Sequence, residues 1–228
     1  MGKISAGSYD LNKWLYGGYE QGIVTVLYGG PGTGKTNFCL LAAVSQAKKN
    51  KKAIYIDTEA GFSIERIKQL AKEETDHILK NIFVLKPGTF TEQKKAFESL
   101  LKHIKNEVGL IIVDSMTILY RLDFATAREN TLEDIQKTNA DLVRQMRALT
   151  EIAQKRDLPI LVTSQIYKWE DAAKIVGGDI LAYWGKCLIE LVNERGKRTA
   201  ILQKHRHLPF SQLNFQITNE NIKKRGWL

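Results

Sequence analysis

Residues 29–36 read GGPGTGKT, a glycine-rich run followed by a lysine and a hydroxyl residue. Glycines let successive backbone N–H groups turn inward around phosphate oxygens, and a helix N-terminus just beyond adds its own free amides. In this pattern Gly29, Gly30, Pro31, Gly32, Thr33 and Gly34 form the cradle and Asn37 adjoins it. Lys35 reaches the β and γ phosphates, and Thr36 offers its hydroxyl to Mg²⁺. ATP with Mg²⁺ is the expected ligand. A bound Mg²⁺ also needs a carboxylate at the end of a neighbouring strand, and Asp114, closing LIIVD, stands in that position. Hydrolysis needs a group that activates water. Asp57 and Glu59, in YIDTE, both qualify, and strand alternation puts them on one side, so periodicity does not choose between them. A second basic stretch, QKHRHLP at 203–209, interleaves Lys204 and Arg206 with His205 and His207. No other His or Cys lies near enough in sequence to complete a tetrahedral shell around the two histidines, which argues against a metal there.

These groups must be held by a scaffold, and the apolar pattern supplies one. Ile23–Tyr28 is a β-branched run ending in glycines, and a helical pattern follows from Lys35 to about Asn50. Ala53–Asp57, Ile82–Leu85, Leu110–Asp114 and Pro159–Ser164 read as further strands. Helical patterns near Ile64–Glu74, Glu92–Asn106 and Thr131–Arg156 separate them. Continuous apolar strands alternating with helices predict a mostly parallel central sheet covered on both faces. After Gly178 the pattern becomes Lys186–Asn193, a turn at ERGK, Thr199–Lys204 and Leu213–Ile217, read as antiparallel strands joined by hairpins. The phosphate-binding run lies between the first strand and the first long helix, as its chemistry requires.

The 228 residues suit one α/β domain spanning 1–228, and no repeat or low-complexity linker divides them. Hydrophobic residues at 43% and charged residues at 26% match a globular composition. No apolar run approaches the ~20 residues that cross a bilayer, and the N-terminus lacks a signal-peptide core, so a cytoplasmic protein with no membrane partner is expected. The Met-Gly start lacks the Ser or Thr at position six that myristoylation requires. Cys39 and Cys187 sit in apolar surroundings and read as buried thiols, compatible with a reducing compartment. The net charge of +9 favours a polyanionic partner, although runs such as KKNKK also occur as solvated helix ends.

YGGPGTGKT, YIDTE, LIIVDS and LVTSQ, in this order and spacing, resemble the RecA-type recombinase superfamily over nearly the whole chain. The resemblance implies a RecA-like P-loop ATPase core acting in DNA recombination and repair. It selects Glu59 over Asp57 as the residue that activates water, and it places Arg66 where the family stacks a side chain on adenine. A guanidinium plane suits that role. It makes Gln165 the sensor that carries the presence of the γ-phosphate to a DNA-binding loop, so that Lys35, Glu59 and Gln165 form the catalytic set. LYRLDFATAREN resembles the first DNA-binding loop, with Arg121, Phe124 and Arg128. The second candidate loop, 166–178, carries Tyr167, Lys168, Trp169 and Lys174. Aromatic residues interleaved with cations suit single-stranded DNA, by stacking and by phosphate neutralisation. Glu170 and Asp171, with Asp123 and Glu129, dilute that charge.

The resemblance also gives QKHRHLP a role. In the superfamily this segment reaches the nucleotide of a neighbouring protomer, and Pro209 resembles the cap over ATP. If 203–209 is extended, Lys204 and Arg206 point to one side and act in trans as arginine fingers do, with a basic patch for DNA as the other reading. Only 28 residues precede Gly29, so the N-terminal DNA-binding domain and docking linker of full recombinases are not expected. That departure implies an accessory or regulator of a main RadA-type recombinase, with weak DNA-dependent ATPase activity and at most a homodimer or short oligomer. A KaiC-like signalling ATPase, acting through protein contacts without DNA, shares the core motifs and stands as the alternative. A small-molecule kinase would want an arginine-rich lid, which the sequence does not display.

Overall fold

The computed structural model describes residues 2–104, 106–169 and 172–226. Its elements run in chain order as β1 (Lys3–Ile4), α1 (Tyr9–Trp14), β2 (Tyr19–Glu20), β3 (Val24–Gly29), α2 (Lys35–Ala47), β4 (Lys52–Asp57) and α3 (Ile64–Ala71). A 3₁₀ turn at Lys72–Glu74 leads to α4 (Thr75–Lys80), β5 (Ile82–Leu85), α5 (Phe90–His103), β6 (Val108–Asp114), α6 (Ile118–Glu129) and α7 (Leu132–Arg156). The second half adds β7 (Ile160–Ser164), β8 (Ile166–Trp169), β9 (Ala172–Ile175) and α8 (Gly178–Trp184). It closes with β10 (Cys187–Glu194), β11 (Lys197–Lys204), β12 (Ser211–Ile217) and β13 (Ile222–Lys224).

The main sheet has nine strands in the order β13-β12-β11-β10-β3-β7-β6-β4-β5. Every pair from β10 to β5 is parallel, and β10 through β13 pair antiparallel, as the patterning predicts. The parallel strands are apolar throughout because both faces are buried. Along β4, Ala53 and Tyr55 join the core under α2 and α3, while Ile54 and Ile56 join the core under α5 and α7. Likewise Leu110 and Ile112 of β6 face one way, and Ile111 and Val113 the other.

The longest helix, α7, shows why its sequence is helical. Thr131 caps it by accepting from the Asp134 N–H, Glu133 and Asp134 sit in its first turn, and Lys155 and Arg156 in its last. Leu142, Met146, Leu149 and Ala153 bury one stripe at helical spacing. Three predicted boundaries move by a few residues: α3 ends at Ala71 before the 3₁₀ turn, α5 spans Phe90–His103, and α2 ends at Ala47.

Two expectations change in kind. The stretch 119–130, expected as a loop, is the helix α6. Leu119, Tyr120 and Ala127 give it an apolar face, and Phe124 packs beside them, which stabilises helix over loop. The stretch 166–178 is a β-hairpin of β8 and β9 leading into α8, with Glu170 and Asp171 outside the described residues. The N-terminal segment carries structure that patterning does not suggest. β1 and β2 pair antiparallel. The α1 cap Ser8 donates its hydroxyl to the Ile222 carbonyl, and Trp14 Nε1 donates to Ser211 Oγ at 3.0 Å. The opening residues therefore clamp the far edge of the sheet.

Candidate nucleotide site and its neighbours

The phosphate-binding run follows directly from β3. Gly29 has φ 154° and lies against the Leu191 carbonyl, which an added Cβ would meet at 2.1 Å, so no side chain fits there. Gly34 caps α2 in the left-handed region at φ 112°, and among the described residues no side-chain cap bond closes the helix start. Those first-turn N–H groups are therefore left for a ligand, and phosphate oxygens are the natural acceptors. Thr33 Oγ1 donates to the Gly30 carbonyl at 2.9 Å and stiffens the cradle. Lys35 Nζ donates to the carbonyls of Gly29 and Gly30, both at 2.9 Å, so it lies folded over the loop it serves. Burial lowers its pKa from the usual lysine value, and the charges of Glu59 and Asp114 oppose that shift.

Asp114 stands at the end of β6, nearly sealed from solvent. Thr36 Oγ1 and Tyr55 Oη both donate to its Oδ2 at 2.7 Å, and Thr163 Oγ1 donates to Oδ1 at 2.5 Å. Three hydroxyl donors thus converge on one carboxylate. With its proton committed to Asp114, Thr36 turns an oxygen lone pair outward. This donor set of hydroxyl and carboxylate oxygens fits a hard cation such as Mg²⁺. When bound, Mg²⁺ supplies charge to draw electron density from the transferring phosphoryl group. Tyr55 is fully buried, and burial together with Asp114 raises its pKa, so it remains a donor.

The two carboxylates after β4 separate clearly. Asp57 is buried, and its oxygens accept from the Gly61 and Phe62 N–H groups at 2.9 and 3.1 Å, so it shapes the turn. Glu59 is exposed at the mouth of the site, where Gln165 Nε2 reaches Oε1 at 3.3 Å and Oε2 at 3.1 Å. Between them, Thr58 Oγ1 donates to the Ser115 carbonyl at 2.7 Å and accepts from the Ser115 N–H at 2.8 Å, tying the Glu59 turn to the end of β6.

Arg66 lies on α3 beside the cradle. Its Nε donates to Asn37 Oδ1 at 2.8 Å, and its terminal nitrogens donate to Gln69 Oε1 and to the Thr218 and Asn219 carbonyls at 2.7–3.1 Å. Partial burial lowers its pKa from the usual arginine value. All these bonds use the edges of the guanidinium, which leaves its planar face for a base.

Gln165 also roots the hairpin. Its carbonyl accepts from the Val176 N–H at 3.0 Å. Ser164 Oγ contacts the Val176 carbonyl at 3.2 Å and Thr117 Oγ1, at the start of α6, at 2.9 Å. Both candidate DNA-binding elements thus start from residues touching the end of β7. On α6, Arg121 and Arg128 are exposed and two turns apart on one side, about 10 Å along the axis. Phe124 is half-buried against Tyr120, with ring centroids 5.7 Å apart, so its ring serves packing. On the hairpin, Tyr167 and Lys174 are exposed cross-strand neighbours. Lys168 and Trp169 lie on β8, and their side chains fall outside the described residues.

The 203–209 segment departs from the extended form on which the expected action in trans depends. β11 ends at Lys204, and bends follow at 206–208 because His205 folds inward toward Glu20. Lys204 Nζ caps α8 by donating to the Ala182 and Gly185 carbonyls at 2.8 and 3.0 Å, so it is held within its own chain. Arg206 and Pro209 are exposed, and Arg206 forms no ion pair among the described residues. His205 and His207 belong to no group of three or more metal-ligating side chains among the described residues. Cys39 and Cys187 are buried free thiols. Patterning does not point to Tyr55 and Thr163, although a hydroxyl inside an otherwise apolar buried strand, as in PILVTS, is a legible signal.

Comparison with known proteins bears directly on these groups. A sequence model of the Rad51 family matches residues 1–225. The DNA repair and recombination protein RadB of Methanocaldococcus jannaschii is 37% identical over 214 residues, covering 93% of this chain and 98% of that protein. RadB of Methanobrevibacter smithii is 39% identical over 231 residues, covering 96% and 95%. The crystal structure of the RadB recombinase superposes with a TM-score of 0.82 at 31% identity, covering 98% of this chain and all of that one.

Proposed function

The chain belongs to the Rad51 family, among its RadB DNA repair and recombination proteins, and on that premise we propose that it is an ATP-binding accessory protein that works on single-stranded DNA beside a main recombinase. The observation that carries this reading is the contact between Gln165 and Glu59. One residue touches the group that activates water and also anchors the hairpin, and its neighbour Ser164 touches the start of α6. Nucleotide state and DNA engagement therefore share a few atoms at the end of β7.

In the proposed chemistry the cradle amides and Lys35 hold the phosphates. Glu59 accepts a proton from the attacking water, and Gln165 reads the terminal phosphate. Arg121 and Arg128 neutralise phosphates of the strand, and Tyr167 and Lys174 contribute from the hairpin. Hydrolysis is weak and serves to reset the binding state. A homodimer or short oligomer lets the exposed Arg206 reach a neighbour's nucleotide. No helix among the described residues is long and apolar enough to cross a membrane. The role proposed here, beside DNA and a recombinase, is a cytoplasmic one. The KaiC-like alternative has lost its support, because the family match spans nearly the whole chain.

The test is the anisotropy of a labelled oligothymidylate, with and without Mg-ATP, across a salt series. The expected result is a steep inverse salt dependence that Arg128→Ala makes shallower. No binding at moderate salt, in either nucleotide state, would refute the reading.

A further inference from the structure

The turn at 205–208 is built around a sealed carboxylate that the nucleotide site does not use. Glu20 comes from β2, which pairs with β1, and its side chain is 1% exposed. Both of its oxygens are buried and accept no hydrogen bond among the described residues. Two imidazoles bracket them. His205 Nε2 lies 3.4 Å from Oε2, and His207 Nε2 lies 4.0 Å from Oε1. A buried carboxylate without hydrogen bonds is costly to keep. It acts on the ring it faces. The negative charge favours the proton of His205 on Nε2, which leaves the Nδ1 lone pair to accept the His207 and Leu208 N–H groups, at 3.1 and 3.3 Å. The other tautomer would turn an N–H toward those two donors and could not close the turn.

Arg206 stands within this turn and is exposed. The chain is anchored on both sides of it. Before it, Lys204 Nζ donates to the Ala182 and Gly185 carbonyls, and the His205 ring is buried. After it, Leu208 packs against the core under α2 and α3. A guanidinium whose backbone is fixed in advance loses less freedom on meeting an anion. Placement to within about 1 Å decides what such a cation contributes to a reaction.

We propose that Glu20 and His205 are positioning residues for Arg206. Glu20 fixes the His205 tautomer, His205 closes the 205–208 turn, and the turn presents Arg206 to the nucleotide of a neighbouring protomer. The proposal rests on the action in trans of Arg206 proposed above and deepens it. The N-terminal segment thereby takes part in the next protomer's ATP site without touching the nucleotide.

The experiment uses the full chain and follows phosphate release per molecule against protein concentration. The variants are Arg206→Ala, Glu20→Leu, His205→Ala and His205→Asn, whose amide oxygen replaces Nδ1 as the acceptor. Arg206→Ala should remove the part of turnover that rises with concentration. Glu20→Leu and His205→Ala should each lower that part by about ten- to a hundredfold, since a misplacement of ~1 Å costs on the order of 10²-fold. His205→Asn should retain most of it. Adding Glu20→Leu to Arg206→Ala should cost nothing further, as for residues that act through one group. ATP affinity at low protein concentration should stay the same in Glu20→Leu. The turn itself is read by ¹⁵N shifts of the His205 ring and by amide exchange at pH 8. The unmodified chain should show the Nε2–H tautomer. Glu20→Leu should show a mixture, with exchange at His207 and Leu208 at least about tenfold faster relative to core amides. Full concentration-dependent turnover in Glu20→Leu, or an unchanged tautomer and exchange rate, would overturn the proposal. So would additive losses in the double variant, which would mean that Glu20 acts by another route. If Arg206→Ala leaves the concentration dependence as it is, the action in trans fails and this inference with it. If Arg206→Ala removes that dependence and Glu20→Leu does not, only this inference falls.

Discussion

The amide of Gln165 donates to both oxygens of Glu59, at 3.3 and 3.1 Å. In the proposed mechanism the residue that reads a terminal phosphate thus holds the residue that activates water. A phosphate oxygen competing for that amide would release Glu59 and, through the Gln165 carbonyl, pull on the root of the hairpin. Gln165→Ala should cut this link. ATP affinity is expected to stay within about twofold, and stimulation of hydrolysis by single-stranded DNA should disappear. Turnover measured with and without oligothymidylate checks it, and full stimulation in the variant would refute the coupling.

Glu59→Gln keeps the size and a hydrogen-bonding partner for Gln165 but removes the proposed base. Turnover should fall by about 10²–10⁴-fold, the usual contribution of a positioned general base, with nucleotide binding preserved. The parallel substitution Asp57→Asn should act differently. Asp57 caps the Gly61 and Phe62 amides, so it is expected to lower melting temperature before it lowers turnover per folded molecule. Equal loss of turnover in both variants without destabilisation would remove the distinction.

Tyr55→Phe tests what holds Asp114. The phenol hydroxyl supplies one of two donors to Oδ2 in a buried site, so its loss should cost about 1–3 kcal/mol of stability. It should also raise the Mg²⁺ concentration needed for tight nucleotide binding, while affinity measured in EDTA stays the same. Thr163→Val removes the donor to Oδ1 and should act in the same direction. A Mg²⁺ titration by calorimetry separates this from a packing defect, which would lower both affinities alike.

How far the site is legible in the sequence depends on where its residues lie in the chain. The phosphate cradle is readable because its chemistry is local: glycines, Lys35 and Thr36 are consecutive. The parallel sheet is readable because burial on both faces leaves continuous apolar strands. Tyr55 and Thr163 are not, since their role depends on register, which sets β4 and β7 beside β6 so that their two hydroxyls join Thr36 on one carboxylate. For α6 the resemblance speaks to function and suggests a loop, while the apolar stripe of Leu119, Tyr120, Phe124 and Ala127 decides its structure. Alternation alone turns Lys204 toward a neighbour. The α8 carbonyls that claim it lie some twenty residues away in sequence, beyond the reach of any local pattern.

Arg66 joins α3 to the turn between β12 and β13 through the Thr218 and Asn219 carbonyls, and to α2 through Asn37. Arg66→Ala should lower stability by about 1–3 kcal/mol and weaken ATP binding. Arg66→Lys keeps the charge but loses the fork and the planar face. If the face serves the adenine, Lys should bind ATP as poorly as Ala does, yet bind inorganic tripolyphosphate normally. Normal ATP affinity in Arg66→Lys would leave Arg66 a structural tie alone.

Stability should also depend on pH. The His205 side chain is 4% exposed, and its Nδ1 accepts from the His207 and Leu208 N–H groups at 3.1 and 3.3 Å. The proton of the neutral ring therefore sits on Nε2, which faces Glu20 Oε2 at 3.4 Å. Burial lowers the His205 pKa from its usual value near 6.5. Glu20 acts against that shift, and Lys3, His207 and Arg206 add to it. A histidine whose folded pKa is depressed binds fewer protons folded than unfolded just below pH 6.5. Its contribution to stability is then full above about pH 6.5 and declines as pH falls from there toward the lowered folded value. Melting temperature should accordingly drop between pH 7 and pH 5. His205→Asn places an amide oxygen where Nδ1 was, keeping the backbone bonds while removing the titration. The difference between the two curves isolates His205 from the carboxylates that titrate at lower pH. Parallel curves for the two proteins would show that another group sets the slope.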